Sequence, residues 1–184
     1  MSLLDKLTGK QRDENALNHK TGTSIEDHYL DVVNKEFEYI MEIKPAFRIF
    51  DLPNLDEIDL TPALIESFCV DLKQYENNSV FFQMVGRFIN SLILASYKQN
   101  YNGFNINLPV FDKSISSVIS NIQIGDKEAL DEKINVNLSG DFSEYCSSYL
   151  SNVSVVCNSP IGRGSLRAAN NSRIMLNSFA TDCC

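Results

Sequence analysis

The rhythm of apolar residues changes once along this chain, near Asn100, and that change limits the folds open to it. Before it, apolar side chains recur every three or four residues, as on one face of a helix. After it, they alternate singly with polar ones, as on a half-buried strand. A helical half followed by a strand-rich half argues for an α+β fold rather than a doubly wound sheet. The expected architecture is a helical N-terminal half with a small, mostly antiparallel sheet in the C-terminal half. Residues 1–23 read as a flexible polar arm, 24–160 as a single α+β domain, and 161–184 as a C-terminal segment with an edge strand and a tail. No internal repeat is evident.

In the helical half, Ser24 is placed to cap a helix, with Glu26 and Asp27 in the first turn where the helix dipole favours negative charge. Ile25, Tyr29, Val32, Val33, Phe37, Ile40 and Met41 form its apolar stripe, which ends before Pro45. From Ala46 to Leu60 the chain is extended or turning, with Phe47, Ile49, Phe50, Leu52 and Leu55 as apolar anchors. Thr61-Pro62 predicts a second helix start, Thr as cap and Pro at the first helical position. Asn77-Asn78 ends that helix, because Asn tolerates the left-handed conformation. Val80 to Tyr97 predicts a third helix, with a strand at Val80–Met84 as the alternative and Gly86 as a weak point. Beyond Asn100, strands are expected at Phe104–Leu108, Ile134–Leu138, Val153–Cys157 and Ile174–Leu176. Ile115 to Ile124 fits neither pattern.

With 184 residues and 43% hydrophobic content the chain can bury a real core. Its formal charge of −8 argues against nucleic acid and against anionic membrane surfaces as partners. No segment reaches the roughly 18 apolar residues that a spanning helix needs, and the first residues do not form a signal peptide. The chain reads as cytosolic. The five cysteines, Cys69, Cys146, Cys157, Cys183 and Cys184, include no Cys-x-x-Cys pair, so neither a zinc site nor a disulfide framework is indicated.

No constellation specific to a reaction stands out. His19 and His28 have no ligand-forming neighbours at a recognised spacing. Gly162-Arg163-Gly164-Ser165 is neither a nucleophile elbow nor a phosphate loop and reads as a turn after Pro160. The pairs Glu57 with Asp59 and Glu66 with Glu76 are ordinary in so acidic a chain. Cys183-Cys184 is like a double-cysteine prenylation signal, but nothing upstream fits a GTPase. No metal, cofactor or catalytic residue is assigned, and the chain is read as a non-enzyme.

Four stretches together carry a family resemblance: Ser2-Leu3-Leu4-Asp5-Lys6-Leu7, Ser24-Ile25-Glu26-Asp27-His28 with Val32-Val33-Asn34, Phe50-Asp51-Leu52-Pro53-Asn54-Leu55, and Leu72 to Asn78. In order and spacing they resemble TssE, the baseplate wedge protein of bacterial type VI secretion, which has relatives in contractile phage tails. The resemblance covers about residues 2–78. Glu76 and the preceding aromatic Tyr75 match the family's helix end. Asn77 and Asn78 stand where it has proline and arginine, and Asp51 where its loop has glycine. Asn at 78 removes a bidentate ion-pair donor.

The resemblance implies a cytoplasmic structural subunit of a contractile-injection baseplate, with a baseplate-wedge-like domain joining other wedge subunits to sheath proteins. Leu52, Pro53, Leu55, Tyr75, Glu76 and Asn78 would be its partner-binding residues, without nucleic acid or membrane insertion. The alternative is a soluble ligand-binding protein or secreted effector with its site near Arg163, Arg167 and Arg173. That is the only concentrated cationic stretch.

Overall fold

The first helix opens on a reciprocal cap. Ser24 Oγ accepts the Asp27 amide at 3.1 Å, and Asp27 Oδ2 accepts the Ser24 amide at 2.9 Å. In the computed structural model this helix, α1, spans Ile25–Ile43; residues 24–43, 55, 57–113, 115–122, 133–140, 142, 146–163, 165 and 169–178 are described. Thr61 caps α2, Pro62–Asp71, by accepting the Leu64 amide at 3.1 Å, and a 3₁₀ turn, Leu72–Tyr75, follows. The third segment is helical, α3 at Phe81–Lys98, because Phe81, Met84, Val85, Phe88, Ile89, Leu92 and Ile93 share a buried face. Neither Asn77 nor Asn78 adopts a positive φ. Asn78 acts instead through its side chain, whose Oδ1 accepts the Val80 amide at 3.0 Å.

The three helices meet around Phe37, which is fully buried. Its ring lies 5.5 Å from Phe68 on α2, 5.3 Å from Tyr75, and 4.9 Å from Phe88 on α3. The Phe68 and Tyr75 contacts are edge-on, the arrangement that ring quadrupoles favour.

Four strands follow: β1 at Gly103–Asn107, β2 at Ile134–Ser139, β3 at Val153–Cys157 and β4 at Arg173–Leu176. They form one sheet in the order β1-β2-β3-β4, and every pair is parallel. The expectation of a mostly antiparallel sheet is therefore wrong. Parallel neighbours oblige the chain to return to the same end of the sheet, which a helix usually accomplishes. Here the described residues of the returns contain no helix; they turn repeatedly and stack as well. Ile115 bridges Phe142, and Ser151 bridges Asn170, both in parallel. Ser147, Asn121 and Ser151 amides donate to the carbonyls of Val118, Ser148 and Ile122 on the adjacent turn of chain.

The second half is thus a stack of coils, in the manner of a β-solenoid. Equivalent positions on successive coils lie nineteen residues apart from β2 onward, as in Asn152 with Asn171 and Asn158 with Asn177. Between β1 and β2 the offset is 32 residues. The chain does hold an internal period, one that its sequence conceals. Inside the coils, Val136, Leu138, Val155, Cys157, Ile115, Ile122 and Leu150 are buried against one another.

The helices close the β1 end of this stack, with α2 packed on β1. The α3 contact is closer still. A Cβ at Gly86 would lie 2.3 Å from the Ser116 carbonyl oxygen, so only glycine lets the helix approach. One turn later Asn90, 1% exposed, uses its whole amide on the first coil. Its Nδ2 donates to the Ser117 and Ser120 carbonyls, each at 2.9 Å, and its Oδ1 accepts the Ile119 amide at 2.7 Å. Within that segment Ser117, Ile119 and Asn121 all have positive φ, and for β-branched Ile119, at 52°, this is strained. Asn90 pins a backbone shape that the coil would not keep unaided.

Two substitutions follow from this contact. Asn90→Ala removes three hydrogen bonds from the buried first coil and should cost at least about 2 kcal/mol of stability. Gly86→Ala, which would stabilise an isolated helix, should instead cost about 1–3 kcal/mol by overpacking. Urea unfolding followed by circular dichroism measures both; an unchanged midpoint for either variant would contradict this docking.

Candidate functional site

The partner-binding residues expected from the sequence are spent largely on internal contacts in the residues described. Leu52 and Pro53 lie outside the described residues. Leu55 is 1% exposed and belongs to the helical core. Tyr75 is half-buried against Phe37, and its hydroxyl donates to Glu38 Oε1 at 3.2 Å. Burial, with the Glu38 carboxylate beside it, holds this phenol well above its ordinary range.

Glu76 ties the helical half to the loop after β1. Its Oε2 pairs with Lys73 Nζ, and its Oε1 accepts the Asp112 amide. The hydrogen bond from Lys73, then that from Asp112, lowers the Glu76 carboxyl below its usual value. Lys73 also donates to the Val110 carbonyl at 2.9 Å and lies over the Phe111 ring, 5.5 Å from its centroid. Asn78 completes the group by capping the turn into α3.

Other groups named from the sequence are not brought together. Arg163 and Arg173 are both exposed, and Arg167 lies outside the described residues. His28 is exposed on α1, with its ring 6.2 Å from that of Tyr29; His19 lies outside the described residues. Asp59 accepts the Tyr101 hydroxyl at 2.9 Å, and Glu66 Oε1 accepts Asn107 Nδ2 at 3.2 Å. In the Gly162 turn, the Ser165 amide donates to the Gly162 carbonyl at 3.4 Å. Among the described residues, no group of three or more His, Cys, Asp or Glu could hold a metal ion, and no helix is long and apolar enough to cross a membrane.

The three described cysteines are interior residues, and Cys183 and Cys184 lie outside the described residues. Cys69, Cys146 and Cys157 are free and buried. Burial pushes the Cys146 thiol up to about 12, and pushes those of Cys69 and Cys157 upward as well. Cys157 also donates to the Ser159 carbonyl at 3.3 Å. Thiols in this state are poor nucleophiles.

The sequence reading missed the far end of the coil stack. Inward columns run Phe104, Val136, Val155, Ile174 and Ile106, Leu138, Cys157, Leu176. The first three of each are at most 2% exposed, but Ile174 and Leu176 are only partly buried, and among the described residues no fifth strand covers them. On the outer face, amides and hydroxyls form ladders. Asn137 donates to Asn105 at 3.0 Å, Asn177 to Asn158 at 2.8 Å, and Ser139 bonds Asn107. At the corner before the strands, Asn152 and Asn171 both adopt positive φ, and Asn171 donates to Asn152 at 2.5 Å. These paired asparagines, nineteen residues apart, were the available signal.

Comparison with family models, with curated proteins and with solved structures finds no match to this chain.

The thiols make stability depend on pH in a definite direction. A Cys146 pKa raised from 9.0 to about 12 contributes stability that is fully present below about pH 9. It is lost as pH rises from there towards 12, because only the unfolded chain then ionises easily. The urea midpoint should accordingly fall across this window, and less so in Cys146→Ala than in the wild type. At pH 8 the three thiols should react with an aromatic disulfide only after denaturant is added. Rapid native labelling of Cys146 would contradict their burial.

Proposed function

We propose that this chain is a structural subunit that works by surface contact, not by chemistry. The supporting observation is how its polar side chains are used. Asn90, Lys73, Glu76, Glu66 and Asp59 join helices to coils or brace the loops between them.

The specific form we propose is the one its first 78 residues resemble, a part of a type VI or phage-like baseplate that joins wedge subunits to sheath. The coil stack lies beyond the stretch that carries this resemblance. It supplies a rigid block held on the wedge-like helices, as a part that transmits force between neighbours requires. Glu76, which matches the family's helix end, serves in this reading by holding that block in place through Asp112.

A tagged chain recovered from its native cells, with partners identified by mass spectrometry, tests this. The proposal expects sheath and wedge subunits to be enriched at least tenfold over an untagged control. It also expects a Glu76→Ala, Lys73→Ala bait to lose them while remaining folded by circular dichroism. A folded wild-type bait that recovers neither class would remove the baseplate form.

A further inference from the structure

The open strand β4 offers a second reading that does not depend on the baseplate. We propose that β4 is a self-association edge, on which a second copy of this chain pairs antiparallel about a two-fold axis.

Three features lead there. First, among the described residues nothing finishes this end of the stack. Ile174 and Leu176 continue columns whose earlier members are at most 2% exposed, yet they are themselves only partly buried. Beside them Met175 is 41% exposed on the outer face. A neighbouring strand would cover the first two and also satisfy the backbone groups that an edge leaves unpaired.

Second, charge does not oppose a copy of this chain at that edge. The whole chain carries −8, which opposes contact between copies. Residues 169–178 carry no carboxylate and a single charge, that of Arg173. An antiparallel pair centred on Met175 sets Ile174 opposite Leu176 and Arg173 opposite Asn177. Residues facing one another across such a pair share one side of the sheet, so the apolar pair lies on the core side and the polar pair outside. No charge then meets its like.

Third, the geometry closes. The β1 end is occupied by the chain's own helices, with α2 packed on β1. A second copy therefore cannot stack head-to-tail, and among the described strands only the same edge on each copy is left to pair. Such a contact is isologous and stops at two.

Met175 meets its own counterpart in this register, and that provides the test. Light scattering coupled to size exclusion, run from low to high micromolar, should give wild-type masses rising from 20.7 kDa to twice that value and no further. Met175→Asp alone and Met175→Lys alone should each stay monomeric, with unchanged circular dichroism because the side chain is exposed. Mixed together, they should recover the doubled mass, since each Asp then faces a Lys. A wild type that stays monomeric, a Met175→Asp protein that still dimerises, single variants without rescue on mixing, or growth beyond two copies would each overturn the proposal. None of these outcomes bears on recovery of sheath or wedge subunits, so the two proposals fail separately.

Discussion

The fold depends most on the side-chain amide of Asn90. A buried Asn is tolerated only where its donors and acceptor find partners, and this one finds three in a single stretch of backbone. That stretch carries alternate residues at positive φ, including Ile119, so its shape is costly and has to be imposed from outside. Gly86, one turn away, lets the helix come close enough to impose it. The helical half thus acts as a template on which the first coil is laid.

Once that coil is fixed, the others follow by stacking. Each strand hydrogen-bonds to the next in parallel, the asparagine ladders repeat the spacing on the outer face, and apolar columns fill the interior. Solenoids behave in this way: each coil is stable only against a neighbour, and the ends need a cap. Here the helices cap one end and β4 is left at the other. The same logic accounts for the use of Lys73 and Glu76, which brace the loop leaving β1, where the first coil departs from the helical template.

Much of the local structure could be read from the sequence, and the reason is local chemistry. Ser24 and Thr61 announce helix starts because their side chains satisfy amides a few residues away. The alternation Ile134-Asn135-Val136-Asn137-Leu138 announces a strand because its two faces meet different surroundings. Strand direction was another matter. An apolar interior and an amide-rich exterior produce the same alternation in a coil as in a hairpin sheet, so the pattern does not distinguish them. The period was hidden because β1 and β2 lie 32 residues apart and later coils nineteen, and inward positions hold Val, Cys and Ile interchangeably. Gly86 read only as a weak point in a helix, since the roles of Gly86 and Asn90 lie in Ser116 to Ser120, a segment distant in sequence and of no recognisable type. Leu55 and Glu76 were noticed for a resemblance, yet the structure employs them within the chain itself.

The central claim is that helices and coils form one cooperative unit, the first serving as the end of the second. Native-state hydrogen exchange in low denaturant addresses this directly, because it reports which amides open together. The account predicts that amides of α3 and of β1, β2 and β3 lose protection at a common free energy. Exchange of the helices through an opening that leaves the strands protected, or of the strands while the helices stay protected, would contradict it.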